Sequence, residues 1–306
     1  MADRIVQPSP GPRPTPPQTT SQPIAARNPW RAARRSPGFI VPAVVIVLLI
    51  AIAIVPGFFA GLFGNGDPRA CALDMSGQGP TAGHLFGFDL QGCDVYANVM
   101  YGTQASLSVG ILTTVLAGLL AVVVGTIAGL SSGFLDWALS RTTDVFLGFP
   151  FLLGAIVVLT SVGQRSVLTV SLVLAMFGWP IMARLVRSQV RGTKQRDYVL
   201  AARTMGLGRW RVVTKYILPN SLAPVLAIAT VTVGSVIVAE SSLTYLGIGL
   251  EAPAISWGLQ LASASSQFQN SPHLLIFPSI FLAATVLSII SLGDWLRKTL
   301  DPRRAQ

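Results

Sequence analysis

The chain has 306 residues, of which 51% are hydrophobic and only 11% are charged. Mean hydropathy is +0.61 and the apolar residues fall in long blocks, so a soluble enzyme, a disulfide-rich secreted module and a disordered protein all fit poorly. A net charge of +10 would suit a nucleic-acid binder, but its distribution, described below, assigns it to membrane topology instead.

Residues 1–28 are rich in Pro, Thr, Gln and Arg. Pro8, Pro10, Pro12, Pro14, Pro16 and Pro17 exclude a helix and leave little to bury, so a disordered cytoplasmic tail is expected. Residues 29–63 read as an anchor region whose first span, 39–63, carries no charge. It is too long for a signal-peptide core and lacks an A-x-A site, so it is expected to be retained.

Residues 64–98 form an extracytoplasmic loop that holds both cysteines, Cys71 and Cys93. Disulfides persist outside the cytoplasm and there is no third thiol, so a Cys71–Cys93 pair is favoured over two unrelated small residues. A zinc site fits less well, because His84 is the only nearby histidine. His84 reads as a loop or cap residue and His273 as interfacial.

Residues 99–304 form the core. Five further stretches are apolar over the length that a bilayer requires, at 105–130, 142–162, 167–183, 222–246 and 274–292. No strand-like alternation of comparable length occurs, so the expected fold is all-α with six transmembrane helices. Of the 22 Lys and Arg residues, all but Arg69 and Arg165 fall on one side of this arrangement. That bias puts both termini in the cytoplasm and accounts for the net charge without nucleic acid.

The cytoplasmic segment 187–220 is the most informative. Arg184, Arg187 and Arg191 recur at helical spacing, so the fourth span should continue beyond the membrane. Asp197 to Gly206 reads as a short helix, with the acid at its N-terminus and the glycine as a left-handed C-cap. Leu207 to Tyr216 reads as a second, ended by Leu218-Pro219. Tyr198, Ala201, Ala202 and Met205 would share one face, open to close approach by a partner. A solvated loop that binds lipid headgroups is the alternative.

No G-x-x-x-x-G-K-[ST] loop or H-E-x-x-H occurs, so the chain offers no ATPase or zinc-protease site, and no span offers a serine with a histidine or lysine partner. Few acids fall inside spans: Asp144, Glu240 and Asp294. A proton-coupled carrier would usually show more. A pore-forming subunit that takes energy from a partner is the reading that remains. Glu240 reads either as a pathway or gate residue or as an anchor between helices. Gly110, Ala117, Gly125 and Gly129 are expected to let helices pack closely.

Leu200-Ala201-Ala202, then Gly206, then Leu218-Pro219 resemble the coupling motif of bacterial ABC importer permeases. The segment from His84 to Tyr96, Tyr101 to Leu107, Gly148 to Pro150, Glu240 to Gly249, Trp257-Gly258 and Leu292 to Pro302 resemble the second permease of the peptide and nickel group. That resemblance implies a type I importer permease fold, without metal or cofactor in this chain. It implies partners: a second homologous permease, two ATPase subunits or one fused ATPase binding ATP and Mg, an extracytoplasmic solute-binding protein, and the lipid of the bacterial cytoplasmic membrane. It implies di- or oligopeptide cargo, with nickel, haem or a glycoside as alternatives. It also implies a coupling set: Asp197, Tyr198, Leu200, Ala201, Ala202, Arg203, Gly206, Leu207, Leu218 and Pro219. Two departures stand out. Leu200 replaces the family's glutamate, so docking should lean on apolar packing and on Asp197 and Arg203. Gly92-Cys93-Asp94 replaces the usual Gly-Arg-Asp, which strengthens the Cys71–Cys93 expectation.

Overall fold

A computed structural model describes residues 36–300, so the Pro-rich tail at 1–28 and the last six residues lie outside it. Five of its helices are long and apolar enough to cross a membrane, and a bent helix pair makes a sixth if counted as one span.

The first span is not one helix. α1 runs Pro37–Ile54 and a short α2 runs Pro56–Ala60. Pro56 has no N–H to donate and drives the residue before it out of helical geometry. Val55 accordingly sits at φ −130, ψ 63.

The loop that follows carries a 3-10 turn, Leu73–Met75, and joins Cys71 to Cys93 by a disulfide. It ends at Asp94, which is fully buried. Its carboxylate accepts the N–H groups of Tyr96 and Ala97 and so caps α3, Val95–Leu130. It also meets His84 Nδ1 at 2.8 Å. α3 therefore begins ten residues before the apolar stretch predicted at 105–130. A run of Tyr, Asn and Gln lowers local hydropathy without weakening a helix that is capped and packed. His273 Nε2 lies 3.2 Å from the Phe88 carbonyl and ties the start of the last helix to the same loop.

The largest departure is the third span. α4, Phe134–Gly148, and α5, Phe151–Thr160, are bent by 83° about Phe149-Pro150. Proline removes the hydrogen bond that would bridge the break, and Phe149 takes extended geometry at φ −84, ψ 130. α6, Val167–Thr193, then packs back against both and runs past the predicted boundary at 183. It lies close against α3. A Cβ on Gly125 would stand 2.7 Å from the Ala183 carbonyl oxygen, and one on Gly129 would stand 2.8 Å from Val190. Side chains at either glycine would force the two helices apart.

α7 is Asp197–Thr204 and α8 is Arg209–Val212. A π-helical turn, Val213–Ile217, leads into α9, Leu218–Tyr245. Leu218-Pro219 was expected to end the second short helix. Instead the wide turn absorbs the proline at the first turn of α9, where a missing N–H costs little, and helix continues from Arg209 to Tyr245. α10, Trp257–Ala264, wedges between α3 and α9, with Trp257 Nε1 donating to the Val99 carbonyl at 3.2 Å. A 3-10 turn, Ser265–Gln267, precedes α11, His273–Leu300.

Between α9 and α10, Glu251 accepts the Arg165 backbone N–H at 2.9 Å and its guanidinium at 3.1 Å. These bonds hold the Glu251 carboxyl below its ordinary value. A depressed carboxylate stabilises the fold above its unfolded value and loses that contribution as pH falls through the folded one. Acidification should therefore loosen this clamp, and by a small amount, because the group is exposed to solvent. Thermal unfolding of wild type and Arg165→Gln should differ at about pH 6 and converge by about pH 3. Curves equally separated throughout would refute the clamp.

Candidate functional site

The helix α7 projects from one end of the bundle between α6 and α9. Asp197 is its first helical residue and not its cap, since no side chain caps this helix. The carboxylate still lies in the first turn, where the helix dipole favours it. The C-terminus is closed by backbone alone. Gly206 N–H donates to the Arg203 carbonyl at 3.0 Å, and Leu207 N–H to the Ala202 carbonyl at 3.3 Å. This pair of bonds is the Schellman arrangement, which needs a left-handed residue at its centre. Gly206 supplies it at φ +78.

The structure divides the predicted contact residues between two faces. Val199 and Ala202 are buried, and pack with Val186 and Val190 of α6, with Val212 and Ile217, and with half-buried Leu207. Ala202 is thus the anchor of α7 and not part of an outward face shared with Tyr198, Ala201 and Met205. Small size matters there because the helix must sit against α6. Asp197, Tyr198, Leu200, Ala201, Arg203 and Met205 are exposed. Pro219 is exposed and Leu218 half-buried at the start of α9. One residue was missed: Trp210 is 79% exposed, the most exposed of the large apolar side chains in this segment. A tryptophan flanked by two arginines in Gly208-Arg209-Trp210-Arg211 was the available signal.

A charged clasp lies just above this knob. Asp136, on α4, accepts two bonds from Arg187 (2.7 and 3.0 Å) and one from Arg191. Asp144, further along α4, accepts Arg184 at 2.7 Å. The arginines that recur at helical spacing on α6 therefore face α4. Asp144, counted above among the intramembrane acids, has a cationic partner.

Glu240 is fully buried inside the chain. Thr244 Oγ1 donates to its Oε1 at 2.9 Å and Ser241 Oγ to its Oε2 at 3.3 Å. The hydroxyls of Ser106 on α3 and Ser256 ahead of α10 also lie against its carboxyl group. Glutamine keeps this geometry, so Glu240→Gln should unfold within about 1 kcal/mol of wild type, whereas Glu240→Leu strands the hydroxyls and should cost about 2–4 kcal/mol. Thermal unfolding in detergent distinguishes them. Equal stability of Glu240→Leu and wild type would remove the anchor role.

The fold is that of a multi-pass helical membrane protein with a short-helix knob at one end. Residues 121–306 match the family model of the binding-protein-dependent transport system inner membrane component. The chain is 33% identical to a dipeptide transport system permease protein of Alkalihalophilus pseudofirmus, over 95% of each chain. It is 34% identical to a glutathione transport system permease protein of Pectobacterium atrosepticum, over 90% of each. It is 34% identical to an oligopeptide transport system permease protein of Bacillus subtilis, over 85% of this chain and 84% of that one. The crystal structure of an amino acid ABC transporter superposes with a TM-score of 0.51 at 14% identity, covering 66% of this chain and 93% of that one, and so shares the fold.

The chain belongs to the family of inner-membrane permease components of binding-protein-dependent ABC transporters. It is a multi-pass inner-membrane subunit that works with a binding protein and an ATPase and does not itself hydrolyse ATP.

Proposed function

We propose that this chain forms half of a translocation pathway for di- and oligopeptides, the other half coming from a second, homologous permease. Both termini lie in the cytoplasm, where two ATPase subunits, or one fused ATPase, bind ATP and Mg. An extracytoplasmic solute-binding protein delivers the cargo at the opposite end. The observation that carries the reading is α7: a short helix, stopped by Gly206, anchored inward through Val199 and Ala202 and presenting Tyr198, Leu200, Ala201 and Met205 outward. Leu200 where the family has glutamate is consistent with docking by apolar contact, to which exposed Trp210 adds. Relatives named for dipeptide, oligopeptide and glutathione transport favour peptide cargo. In operation, ATP-driven closure of the ATPase pair pulls on α7, and α6 and α9 carry the movement into the spans as alternating access. Glu240 acts as an anchor between α3, α9 and α10.

Affinity purification of the tagged chain in mild detergent, with mass spectrometry, tests this. Recovery of an ATPase, a second permease and a binding protein carrying peptide supports it. A co-purified binding protein carrying a metal chelate, haem or sugar overturns the cargo. Recovery of the chain alone after crosslinking overturns the assembly.

A further inference from the structure

Hydroxyls in the spans of this protein mostly follow one pattern. Thr103, Thr114, Thr230, Thr232, Ser242 and Thr285 each donate to the carbonyl four residues back. That bond hides a polar group from lipid. Several polar side chains on α3 depart from it. Tyr101, Gln104 and Ser108 have no side-chain hydrogen-bond partner among the described residues. Their spacing puts them on one face of the helix, and all three line a single cavity of about 380 Å³ at the end of the bundle away from α7. Below them the same face continues as Ile111 and Val115, both exposed. The opposite wall of the cavity is Pro253, Ala254 and Ile255.

Arg69 closes this cavity from the loop. Its Nη2 donates to the Pro253 carbonyl at 3.1 Å. The other arginine at this end, Arg165, is engaged by Glu251. Arg69 is not within ion-pair distance of any carboxylate among the described residues. The nearby Asp67 accepts its backbone N–H, and no residue lining the cavity is acidic. The walls thus offer a guanidinium, a phenol, an amide and a hydroxyl, all able to donate, around a volume within the range of small-ligand sites. Such a site selects an anion, and a guanidinium matches the two oxygens of a carboxylate.

We infer that this cavity receives the C-terminal carboxylate of the incoming peptide, with Arg69 gripping the carboxylate and Tyr101, Gln104 and Ser108 bonding the amides behind it. The inference deepens the peptide reading above and rests on it. The test uses the complete transporter in proteoliposomes with saturating binding protein and a mixture of tri- and tetra-alanine. Arg69→Gln should lower peptide imported per ATP hydrolysed roughly ten-fold, the size expected for a lost charge-assisted contact, and Arg69→Lys should restore much of it. The binding-protein concentration that half-maximally stimulates ATP hydrolysis should not change. Unaltered import per ATP in Arg69→Gln overturns the inference. So does a shifted half-maximal concentration with normal import per ATP, which makes Arg69 a contact for the binding protein. Failure of the wild-type transporter to import any alanine peptide overturns the peptide reading itself, and this inference with it.

Discussion

Replacing Gly206 with proline or valine should abolish at least nine-tenths of cargo import while leaving the protein in the membrane and ATP hydrolysis measurable. The argument is conformational. No atom lies within 4 Å of where a Cβ would stand, so a side chain at this position meets open space. The obstacle is the backbone, at φ +78. Proline is locked near φ −65° and cannot adopt it, and a β-branched residue there is strained by about 1–2 kcal/mol. That strain is small against the stability of the bundle. It is large against the two backbone bonds that stop α7 and turn the chain toward α8. Losing them lets α7 unwind or extend, and the outward residues Tyr198, Leu200 and Met205 no longer present one surface. The comparison that decides is ATP hydrolysis and import measured together in the reconstituted complex. Gly206→Ala should fall between wild type and Gly206→Val. Full import by Gly206→Pro would show that α7 does not couple.

Asp136 carries the second large effect. Asp136→Ala should lower stability by about 2–4 kcal/mol, because Arg187 and Arg191 lose charge-assisted bonds at a partly covered site and then face each other. The bonds span α4 and α6, which share no short connection, so the loss frees the bent pair α4–α5 from the helix that leads to α7. Thermal unfolding in detergent measures the cost. Arg187→Ala should show a similar loss, and the double variant less than the sum of the two, because one interaction is removed twice. Strict additivity would mean that the clasp contributes nothing as a pair.

The positions of the spans were legible in the sequence because lipid imposes one demand, about 20 apolar residues, and imposes it locally. The α7 helix was legible for a similar reason: a glycine after a short amphipathic run has one economical backbone role. Hydropathy records composition and not direction, so the 83° bend at Phe149-Pro150 was read as a straight span. Proline alone does not predict it, since Pro180 and Pro278 sit inside continuous helices.

What the tertiary structure decided is which face of each helix meets which neighbour. Ala201 and Ala202 are identical in sequence terms, yet one is exposed and the other packs on α6. Asp136 and Arg187 are 51 residues apart, and only the antiparallel course of α4 beside α6 makes them partners. Arg69 and Tyr101 meet one cavity because a loop folds back over α3. The sequence by itself determined that this chain lives in a membrane and carries a short helix closed by a glycine. Both properties follow from local backbone and solvation demands. The clasp and the polar mouth follow from long-range packing, which no window of residues contains.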